Sequence, residues 1–327
     1  MPLLEVTDLS VHLQTQRGTA KAISGLNFSL ERGKTLGLVG ESGCGKSITA
    51  MAIMGLLPEH AITTGSIRFD NQELVGLNDG GLRKLRGNRI GMVFQEPMTA
   101  LNPLHTVGQQ VAEPLRLHKG LSKTEARKQT IALLDRVGIA SAAQRLDAYP
   151  HQFSGGQRQR ITIAMALACE PDLLIADEPT TALDVTIQAQ ILDLINELVQ
   201  ELGMALILIS HDLGVIAQNT RHMMVMYGGT VVESGETSSI FQHMAHPYTR
   251  GLFSARPRLG GQRGVRLTTI AGTVPELVDL PKGCPFVERC AWADPICTTL
   301  RPQPSQLEQT HQASCHRLDA LPLWEAL

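Results

Sequence analysis

Eight consecutive residues near the N-terminus have the types and spacing needed to hold phosphate groups. They read GESGCGKS, match G-x-x-x-x-G-K-[ST], and lie between the apolar run TLGLV and a helical pattern that begins SITAMAIM. Glycines in such a turn let backbone N–H groups point at phosphate oxygens, and the helix N-terminus that follows adds a partial positive charge. The predicted phosphate-binding residues are Gly40, Glu41, Ser42, Gly43, Cys44, Gly45, Lys46 and Ser47.

Two side chains of this loop have specific chemistry. Lys46 is expected to contact the β- and γ-phosphates of a nucleotide, and the Ser47 hydroxyl is expected to contact Mg²⁺. Cys44 occupies a variable position of the motif and is expected only to fill space. The sequence therefore predicts a site for ATP with Mg²⁺.

Two carboxylates follow a second apolar run, which reads LLIADE from Leu173 to Glu178. Asp177 suits Mg²⁺, because hard cations take oxygen ligands. Glu178 is placed to face the γ-phosphate and polarise an attacking water. Taken alone, two acids at a strand end are more often solvated side chains, and the phosphate loop upstream is what favours a functional interpretation.

Phe153–Gln157 read FSGGQ and resemble the LSGGQ signature of ATP-binding cassette ATPases, with Phe in place of Leu. Other elements of that family follow the same order along this chain. Gln95 in MVFQEP is similar to the Q-loop, Thr181–Asp184 (TALD) to the D-loop, and His211 in LISHD to the switch histidine. The resemblance covers about residues 3–250.

The resemblance implies roles for these residues. Glu178, His211 and Gln95 are the implied catalytic residues, and Mg²⁺ is held through Ser47, Gln95 and Asp177. It also implies head-to-tail dimers, in which the signature of one subunit caps the nucleotide bound by the other. The signature residues are Ser154, Gly155, Gly156 and Gln157, and the D-loop residue is Asp184.

The first predicted strand departs from the family pattern. Its segment LSVHL has Leu13 where members of the family often have an aromatic residue that stacks on adenine. Adenine is expected to rest on Leu13 or on His12, or to be held weakly. The basis of base selectivity is therefore open.

The C-terminal part of the chain resembles one branch of the family. His246–Thr249 read HPYT, and Gly272–Cys297 are similar to the cysteine-containing tail of dipeptide and oligopeptide importer ATPases. The resemblance implies a second, homologous ATPase subunit, two membrane permease subunits and a periplasmic or extracellular peptide-binding protein as partners.

Four of the six cysteines lie in this tail, with the spacing C-x5-C-x6-C-x17-C: Cys284, Cys290, Cys297 and Cys315. Zinc sites favour closer C-x2-4-C pairs, whereas the wider spacing is compatible with an iron–sulfur cluster. The family resemblance points to a structural 4Fe–4S cluster. Zinc, or four thiols without a ligand, are the alternatives.

Alternating apolar runs and helical patterns position these motifs and predict an α/β fold. The predicted strands are Leu4–Thr7, Thr35–Val39, Ile90–Phe94, Leu173–Ala176, Ala205–Ile209 and His222–Tyr227. Ser122 is a predicted N-cap for a helix through Val137. The predicted fold class is a P-loop NTPase core with a helical insertion at about residues 98–165, an antiparallel β part and a small cysteine-containing C-terminal extension. The predicted domains are residues 1–254 and 255–327.

Composition limits the possible partners and location. The net charge of −2 gives no general attraction to nucleic acid or anionic lipid, so no nucleic-acid partner is expected. No apolar run approaches the roughly 18 residues of a spanning helix, and the N-terminus does not read as a secretory signal. We therefore expect a peripheral protein on the cytoplasmic side of the inner (cell) membrane.

These observations predict an ABC-type ATPase, a translocase subunit that energises import of dipeptides or oligopeptides. Nickel or opine import by the same branch is the nearest alternative. A soluble cassette ATPase of DNA repair or translation is more distant, because such proteins usually carry long coiled coils or two cassettes and neither is found here. A regulatory module without turnover is disfavoured by Glu178 and His211.

Overall fold

The computed structural model describes residues 1–181, 183–255 and 269–322. Ala182 of the predicted D-loop and residues 256–268 and 323–327 of the predicted extension lie outside the described residues. The chain divides into two compact units. The first comprises Met1–Leu4, Leu30–Thr35 and Phe69–Ile209, and the second comprises Glu5–Ser29, Leu36–Arg68 and the described part of the chain from Ser210 onward.

Three parallel strands form the sheet of the first unit, with Leu173–Asp177 between Ile90–Val93 and Ala205–Ser210. In register, Ile90 lies opposite Leu173, and Leu173 lies opposite Ala205. Every residue of the central strand and of Ala205–Ser210 is buried, as expected for parallel strands covered on both faces. The carboxyl end of the central strand therefore delivers Asp177 and Glu178 from a rigid element.

Helices make up most of the rest of the first unit. Their bounds are Asp79–Leu85, Pro97–Ala100, Val107–His118, Lys123–Arg136, Ala142–Arg145, Gly155–Leu167 and Val185–Leu202, with a 3-10 turn at Pro150–Gln152 and a short strand at Gln72–Glu73. The predicted cap at Ser122 is confirmed: its side chain accepts the Glu125 N–H, and the Glu125 carboxylate accepts the Ser122 N–H. The predicted bounds of the helical insertion, 98–165, stay a prediction.

The second unit contains two sheets. In one, the strand order is Ser305–Gln306, Gln312–Ala313, Thr230–Glu236, His222–Tyr227 and Thr35–Val39. The pair Thr35–Val39 and His222–Tyr227 is parallel, and the other pairs of this sheet are antiparallel. The other sheet has Leu4–Thr15 between Gly18–Leu30 and Ile62–Phe69. The C-terminal extension thus contributes a strand, Gln312–Ala313, that pairs with the cassette strand Thr230–Glu236.

Helices of the second unit follow its strands or lie in the extension. Their bounds are Lys46–Met54, Leu213–Asn219, Thr237–Gln242, Pro247–Ser254 and Pro295–Thr299, with 3-10 turns at Val287–Arg289 and Leu318–Ala320. None of the helices in the described part of the chain is long and apolar enough to cross a membrane.

The predicted strands Thr35–Val39 and His222–Tyr227 have the predicted bounds. The strand that begins at Leu4 was predicted too short, since it continues to Thr15 and turns at Gln16–Arg17 into Gly18–Leu30. Beyond Thr7 its buried and exposed residues alternate irregularly, so the sequence lacks the clear two-residue period of a half-buried strand. Conversely, the strand predicted at Ile90–Phe94 ends at Val93 in the structure, and Phe94 is exposed.

Candidate functional site

The loop Gly40–Ser47 lies between the strand Thr35–Val39 and the helix that begins at Lys46. Two of its glycines are required by geometry. A Cβ on Gly40 would approach the Met226 carbonyl oxygen to 2.3 Å, and Gly45 has a φ of +106° at the N-cap of the helix. The backbone of this loop therefore has the compact path that a phosphate-binding turn needs.

Lys46 is buried at the start of this helix, and its side chain turns back into the loop. Its Nζ donates to the carbonyl oxygens of Gly40 at 2.7 Å and Glu41 at 3.1 Å, and lies 3.8 Å from the Cys44 sulfur. Cys44 itself is buried, and burial raises the pKa of its thiol. The Lys46 ammonium is thus held by neutral acceptors of the loop itself.

Glu178 lies at the end of the central strand of the first unit, next to two polar side chains. The Gln95 amide nitrogen donates to its Oε2 at 3.2 Å, and the Thr181 hydroxyl donates to the same oxygen at 3.0 Å. Glu178 has a φ of +46°, a left-handed conformation that is rare for residues other than glycine and that concentrates at functional sites. The structure thus brings together Gln95 and Glu178, which were predicted as catalytic residues.

Asp177 precedes Glu178 in the chain and is 4% exposed. Carboxylate oxygens of this kind, together with the Ser47 hydroxyl and the Gln95 side-chain oxygen, are the donor set that Mg²⁺ prefers. The donor chemistry of the predicted residues therefore fits Mg²⁺. Ser47 belongs to the second unit, and Gln95 and Asp177 belong to the first.

The signature segment forms the start of the helix Gly155–Leu167. Ser154 caps this helix by accepting the Gln157 N–H at 3.3 Å, and the Gln157 side-chain oxygen accepts the Ser154 N–H at 3.2 Å. Phe153 is 3% exposed, and the Arg145 guanidinium lies 4.0 Å from the centre of its ring. The Phe153 ring, which replaces the usual Leu, is thus buried with the Arg145 guanidinium over its face, and the cap at Ser154 is intact.

Two contacts link the signature helix to the residues that follow Glu178. Gln159 is fully buried and donates to the Pro179 carbonyl oxygen at 2.6 Å. A Cβ on Gly156 would lie 2.9 Å from an Ile187 methyl group, so a glycine is needed where the two helices approach closely. Gln159 was missed by the sequence analysis, because nothing in the motif distinguishes it from an ordinary helical residue.

Asp184 and His211 each lie just before a helix. Asp184 caps the helix Val185–Leu202 by accepting the Ile187 N–H at 3.0 Å. His211 follows the strand Ala205–Ser210, is exposed, and belongs to the second unit. His12 and Leu13, the candidates for the adenine contact, are half-buried on the strand Leu4–Thr15.

The HPYT segment is buried against the antiparallel part of the second unit. His246 caps the helix Pro247–Ser254 by accepting the Tyr248 N–H at Nδ1, at 3.1 Å. Glu233 is 1% exposed and accepts the N–H groups of Ala245 at 2.7 Å and His246 at 2.9 Å, while His311 Nε2 lies 2.8 Å from it. The extension, through His311, thus closes a buried polar cluster of the cassette.

Burial lowers the pKa of His246 to about 4, against the opposing influence of the Glu233 carboxylate. An unfolded histidine has a pKa of about 6.5, so stability is fully present above pH 6.5 and is lost as pH falls toward 4. We expect this residue alone to remove about 2 kcal/mol of unfolding free energy between pH 8 and pH 5. His246→Asn keeps a side-chain acceptor for the Tyr248 N–H and should lose that part of the pH dependence.

The measurement is chemical denaturation of both proteins at pH 8 and pH 5. His243→Asn, which changes an exposed histidine three residues earlier, is the matched control and should follow the wild type. An identical pH dependence in wild type and His246→Asn would show that His246 does not stay neutral in the fold.

The four cysteines of the extension lie near one another. Burial raises the pKa of Cys284 to about 11, and the nearby thiols of Cys297, Cys315 and Cys290 act in the same direction. Burial also raises the pKa of Cys290 and Cys315. The four thiols therefore lie close enough to influence one another, and all six cysteines of the chain are free.

Polar groups around these cysteines suit an anionic ligand. Backbone N–H groups of Phe286, Trp292 and Arg317 interact with the sulfurs of Cys284, Cys290 and Cys315, respectively. The Nε of Arg301 is buried without a hydrogen-bond partner in the described part of the chain, and the pKa of Arg301, which burial lowers, is raised by the nearby Cys284 thiol. Within those same residues, however, no group of three or more His, Cys, Asp or Glu side chains is arranged to hold a single metal ion.

Comparison with known proteins agrees with this geometry. Residues 23–181 match the family described as ABC transporter, and residues 232–297 match the one described as oligopeptide/dipeptide transporter, C-terminal region. The chain is 50% identical over 315 residues to the dipeptide transport ATP-binding protein DppD of Bacillus subtilis, covering 96% of this chain and 94% of that protein. It is 52% identical over 296 residues to the oligopeptide transport ATP-binding protein OppD of Haemophilus influenzae, covering 90% and 91%.

Among solved structures, the dimeric post-hydrolysis state of the ATP-binding cassette MJ0796 bound to ADP and phosphate is similar, with a TM-score of 0.64 and 29% identity. The match covers 72% of this chain and 98% of that chain. This chain therefore belongs to the ABC transporter family, as an ABC-type ATPase of the branch that carries the oligopeptide/dipeptide transporter C-terminal region. The predictions of the family, of the cassette fold and of ATPase activity are confirmed.

Proposed function

We propose that this chain binds MgATP at Gly40–Ser47 and hydrolyses it to energise the import of dipeptides or oligopeptides. One observation supports peptides as the cargo. The chain is 50% identical to a dipeptide transport ATP-binding protein over 96% of its length, the C-terminal region included. Nickel and opine import, the nearest alternatives, have no such support. The same observation disfavours a soluble cassette ATPase of DNA repair or translation.

In the proposed nucleotide site, Lys46 and the backbone N–H groups of its loop hold the phosphates. The side chains of Ser47, Gln95 and Asp177 would hold Mg²⁺, which supplies charge neutralisation at the phosphates when bound. The buried position of Lys46 and its two carbonyl partners support this assignment, because phosphate oxygens can take the place of those acceptors without moving the helix.

Glu178 orients the attacking water and accepts its proton. His211, which follows the strand Ala205–Ser210, is proposed as a second catalytic residue. Gln95 and Thr181 support the role of Glu178, because both donate to its Oε2 and hold its carboxylate in place. Gln95 also carries the proposed link to the membrane subunits, since it lies between the carboxylate and the helical segment that follows.

Two ATPase subunits are proposed to pack head to tail around ATP. Ser154, Gly155, Gly156 and Gln157 of one subunit then offer N–H groups at a helix N-terminus to the γ-phosphate held by the other. Asp184 faces the same interface. The similarity to a dimeric cassette structure supports this arrangement, and we propose a homologous, non-identical ATPase as the second subunit.

The other proposed partners are two membrane permease subunits and a periplasmic or extracellular peptide-binding protein. The chain would then lie peripherally on the cytoplasmic side of the cell membrane. The two relatives are transport ATP-binding proteins, which supports a role in transport, and the need for ATP supports the cytoplasmic side.

We further propose that Cys284, Cys290, Cys297 and Cys315 hold a 4Fe–4S cluster that stabilises the extension. Four mutually close thiols, N–H groups directed at three of the sulfurs and the unpaired Nε of Arg301 fit an anionic cluster with sulfur acceptors.

Protein purified without oxygen should therefore be brown and contain about four iron atoms per chain. Cys290→Ser should bleach it and make the extension more sensitive to protease, because ligand binding supplies folding free energy. Cys169→Ser, at a buried cysteine of the other unit, should leave colour and iron content unchanged. Stoichiometric zinc without iron would contradict the cluster.

The cargo is tested by deleting the gene in its host and measuring uptake of labelled dialanine, trialanine and nickel ions. Loss of peptide uptake, restored by the wild-type gene and not by Glu178→Gln, is the expected result. Loss of nickel uptake alone would show that nickel, and not a peptide, is the imported substrate. Unchanged uptake of all three would contradict a role in import of these substrates.

A further inference from the structure

The C-terminal extension contacts the phosphate loop through one buried ion pair. Arg289 lies on the 3-10 turn Val287–Arg289 and binds both carboxylate oxygens of Glu41, with NH1 at 2.6 Å from Oε2 and NH2 at 3.1 Å from Oε1. The Arg289 side chain is 4% exposed and that of Glu41 is 30% exposed. Because Glu41 is the second residue of the loop, the pair joins the extension directly to the proposed nucleotide site.

The rest of the Arg289 guanidinium is also bound. Its Nε donates to the Ala271 carbonyl oxygen at 2.9 Å, and NH1 lies 3.4 Å from the Tyr227 hydroxyl. A Cβ on Gly272 would lie 3.3 Å from the Arg289 stem, so the chain at Ala271–Gly272 packs closely around it. The hydrogen bonds to Glu41 raise the pKa of Arg289 further, which keeps it charged. Its geometry is thus fixed on several sides.

The backbone of Glu41 is also held, by hydrogen bonds at its N–H and its carbonyl oxygen. Its N–H donates to the Tyr248 hydroxyl at 2.7 Å, and its carbonyl oxygen accepts from Lys46 Nζ at 3.1 Å. Tyr248 is fully buried and packs edge-on against Tyr227, with ring centres 4.7 Å apart. The side chain, N–H and carbonyl of Glu41 therefore each have a fixed partner, and two of these partners come from the HPYT segment and the extension.

Cysteines flank the turn that carries Arg289. The Cys284 carbonyl oxygen accepts the Val287 N–H at 3.1 Å, and the Cys290 N–H donates to the Val287 carbonyl oxygen at 3.3 Å. Phe286 packs against the rings of Tyr227 and Tyr248, at 5.2 and 5.4 Å. The conformation of the cysteine segment therefore determines where the guanidinium of Arg289 lies.

We propose that Arg289 is a positioning residue for the phosphate loop, through which the C-terminal extension sets the affinity of the loop for ATP. This inference rests on the proposed nucleotide site at Gly40–Ser47.

The Arg289–Glu41 pair has two physical effects, and both strengthen the binding of ATP. A bidentate arginine–carboxylate pair fixes both position and orientation, which pre-forms the loop before nucleotide arrives. The pair also neutralises the Glu41 carboxylate, which lies within the loop that is proposed to bind the anionic phosphates. Without Arg289, the Glu41 carboxylate would repel the phosphates at close range, and the repulsion would grow with the charge of the nucleotide.

The test compares dissociation constants for ATP and ADP in Arg289→Gln, Arg289→Lys, Glu41→Gln and the double variant Arg289→Gln/Glu41→Gln. Arg289→Gln should weaken ATP binding at least about tenfold, with a smaller change for ADP, and Arg289→Lys should fall between it and the wild type because it keeps only the charge. The double variant should recover part of the loss, since the unpaired carboxylate is gone. A purely structural role for Arg289 would give neither the dependence on nucleotide charge nor this recovery.

Arg17→Gln is the matched control. Arg17 binds Glu276 at 2.6 Å and Asp279 at 2.8 Å, so it too joins the extension to the cassette, at the turn between Leu4–Thr15 and Gly18–Leu30, through exposed side chains. It should leave both dissociation constants unchanged.

Wild-type ATP affinity in Arg289→Gln would overturn the inference while leaving the nucleotide site intact. If Arg289→Gln does not fold, Arg289→Lys decides in the same way: several-fold weaker binding supports the inference, and unchanged binding contradicts it. Failure of the wild type to bind ATP, or binding that survives Lys46→Ala, would instead overturn the proposed nucleotide site.

Discussion

Glu178→Gln is expected to reduce steady-state ATP hydrolysis by about 10²–10⁴-fold while ATP binding is retained. General-base catalysis contributes a factor of this size, and the amide cannot accept the proton from water. Binding persists because Lys46 and its loop belong to different elements from Glu178. ATP that is bound but not hydrolysed should hold the subunits together, so the variant should form a dimer in the presence of ATP.

Phosphate release and size-exclusion chromatography with ATP measure the two effects. Glu170→Gln makes the same chemical change at an exposed residue just before the opposite end of the same strand, and should hydrolyse ATP as the wild type does. Hydrolysis by Glu178→Gln near the wild-type rate would mean that another group activates the water.

Lys46→Ala is expected to weaken ATP binding at least about 100-fold. Hydrogen bonds to charged groups contribute about 1.5–3 kcal/mol each, and the ammonium is proposed to make at least two to phosphate oxygens. The variant also loses the hydrogen bonds from Lys46 Nζ to the Gly40 and Glu41 carbonyl oxygens, which help to hold the loop in its conformation.

Equilibrium titration with a fluorescent ATP analogue measures this effect. Lys84→Ala removes an exposed lysine from the helix Asp79–Leu85 and should bind the analogue with unchanged affinity. ATP binding by Lys46→Ala at the wild-type level would place the phosphates elsewhere.

The parts of the site that sequence could predict are those set by local chemistry. The strand Thr35–Val39, its glycine turn and the helix after it are specified by an apolar run, fixed glycines and a lysine in one short segment. The strand Leu173–Asp177 is a continuous apolar run that ends in two acids. In both cases, residues near in sequence determine one another's structure.

Contacts between distant segments could not be predicted in this way. Arg289 and Glu41 are 248 positions apart, and an arginine among cysteines carries no pattern that names its partner. Tyr248 is in the HPYT motif, but only the fold brings its hydroxyl to the Glu41 N–H. The long strand Leu4–Thr15 was likewise underestimated, because pairing with neighbouring strands, and not local periodicity, extends it.

In the C-terminal extension, too, features set by nearby residues could be predicted and contacts with distant segments could not. From the sequence, only the four cysteines were expected to stabilise it, through a structural cluster. The structure adds a strand, Gln312–Ala313, paired with the cassette, and a buried contact between His311 and Glu233. These contacts depend on the cassette being present, so the extension's own sequence does not reveal them.

A structure of Glu178→Gln determined with ATP and Mg²⁺ tests the central claim most directly. The account predicts a dimer in which the triphosphate lies against Gly40–Ser47 of one subunit, with Ser154–Gly156 of the other subunit contacting the γ-phosphate. Triphosphate density away from the loop, or a γ-phosphate contacted by no signature residue of a second subunit, would contradict it.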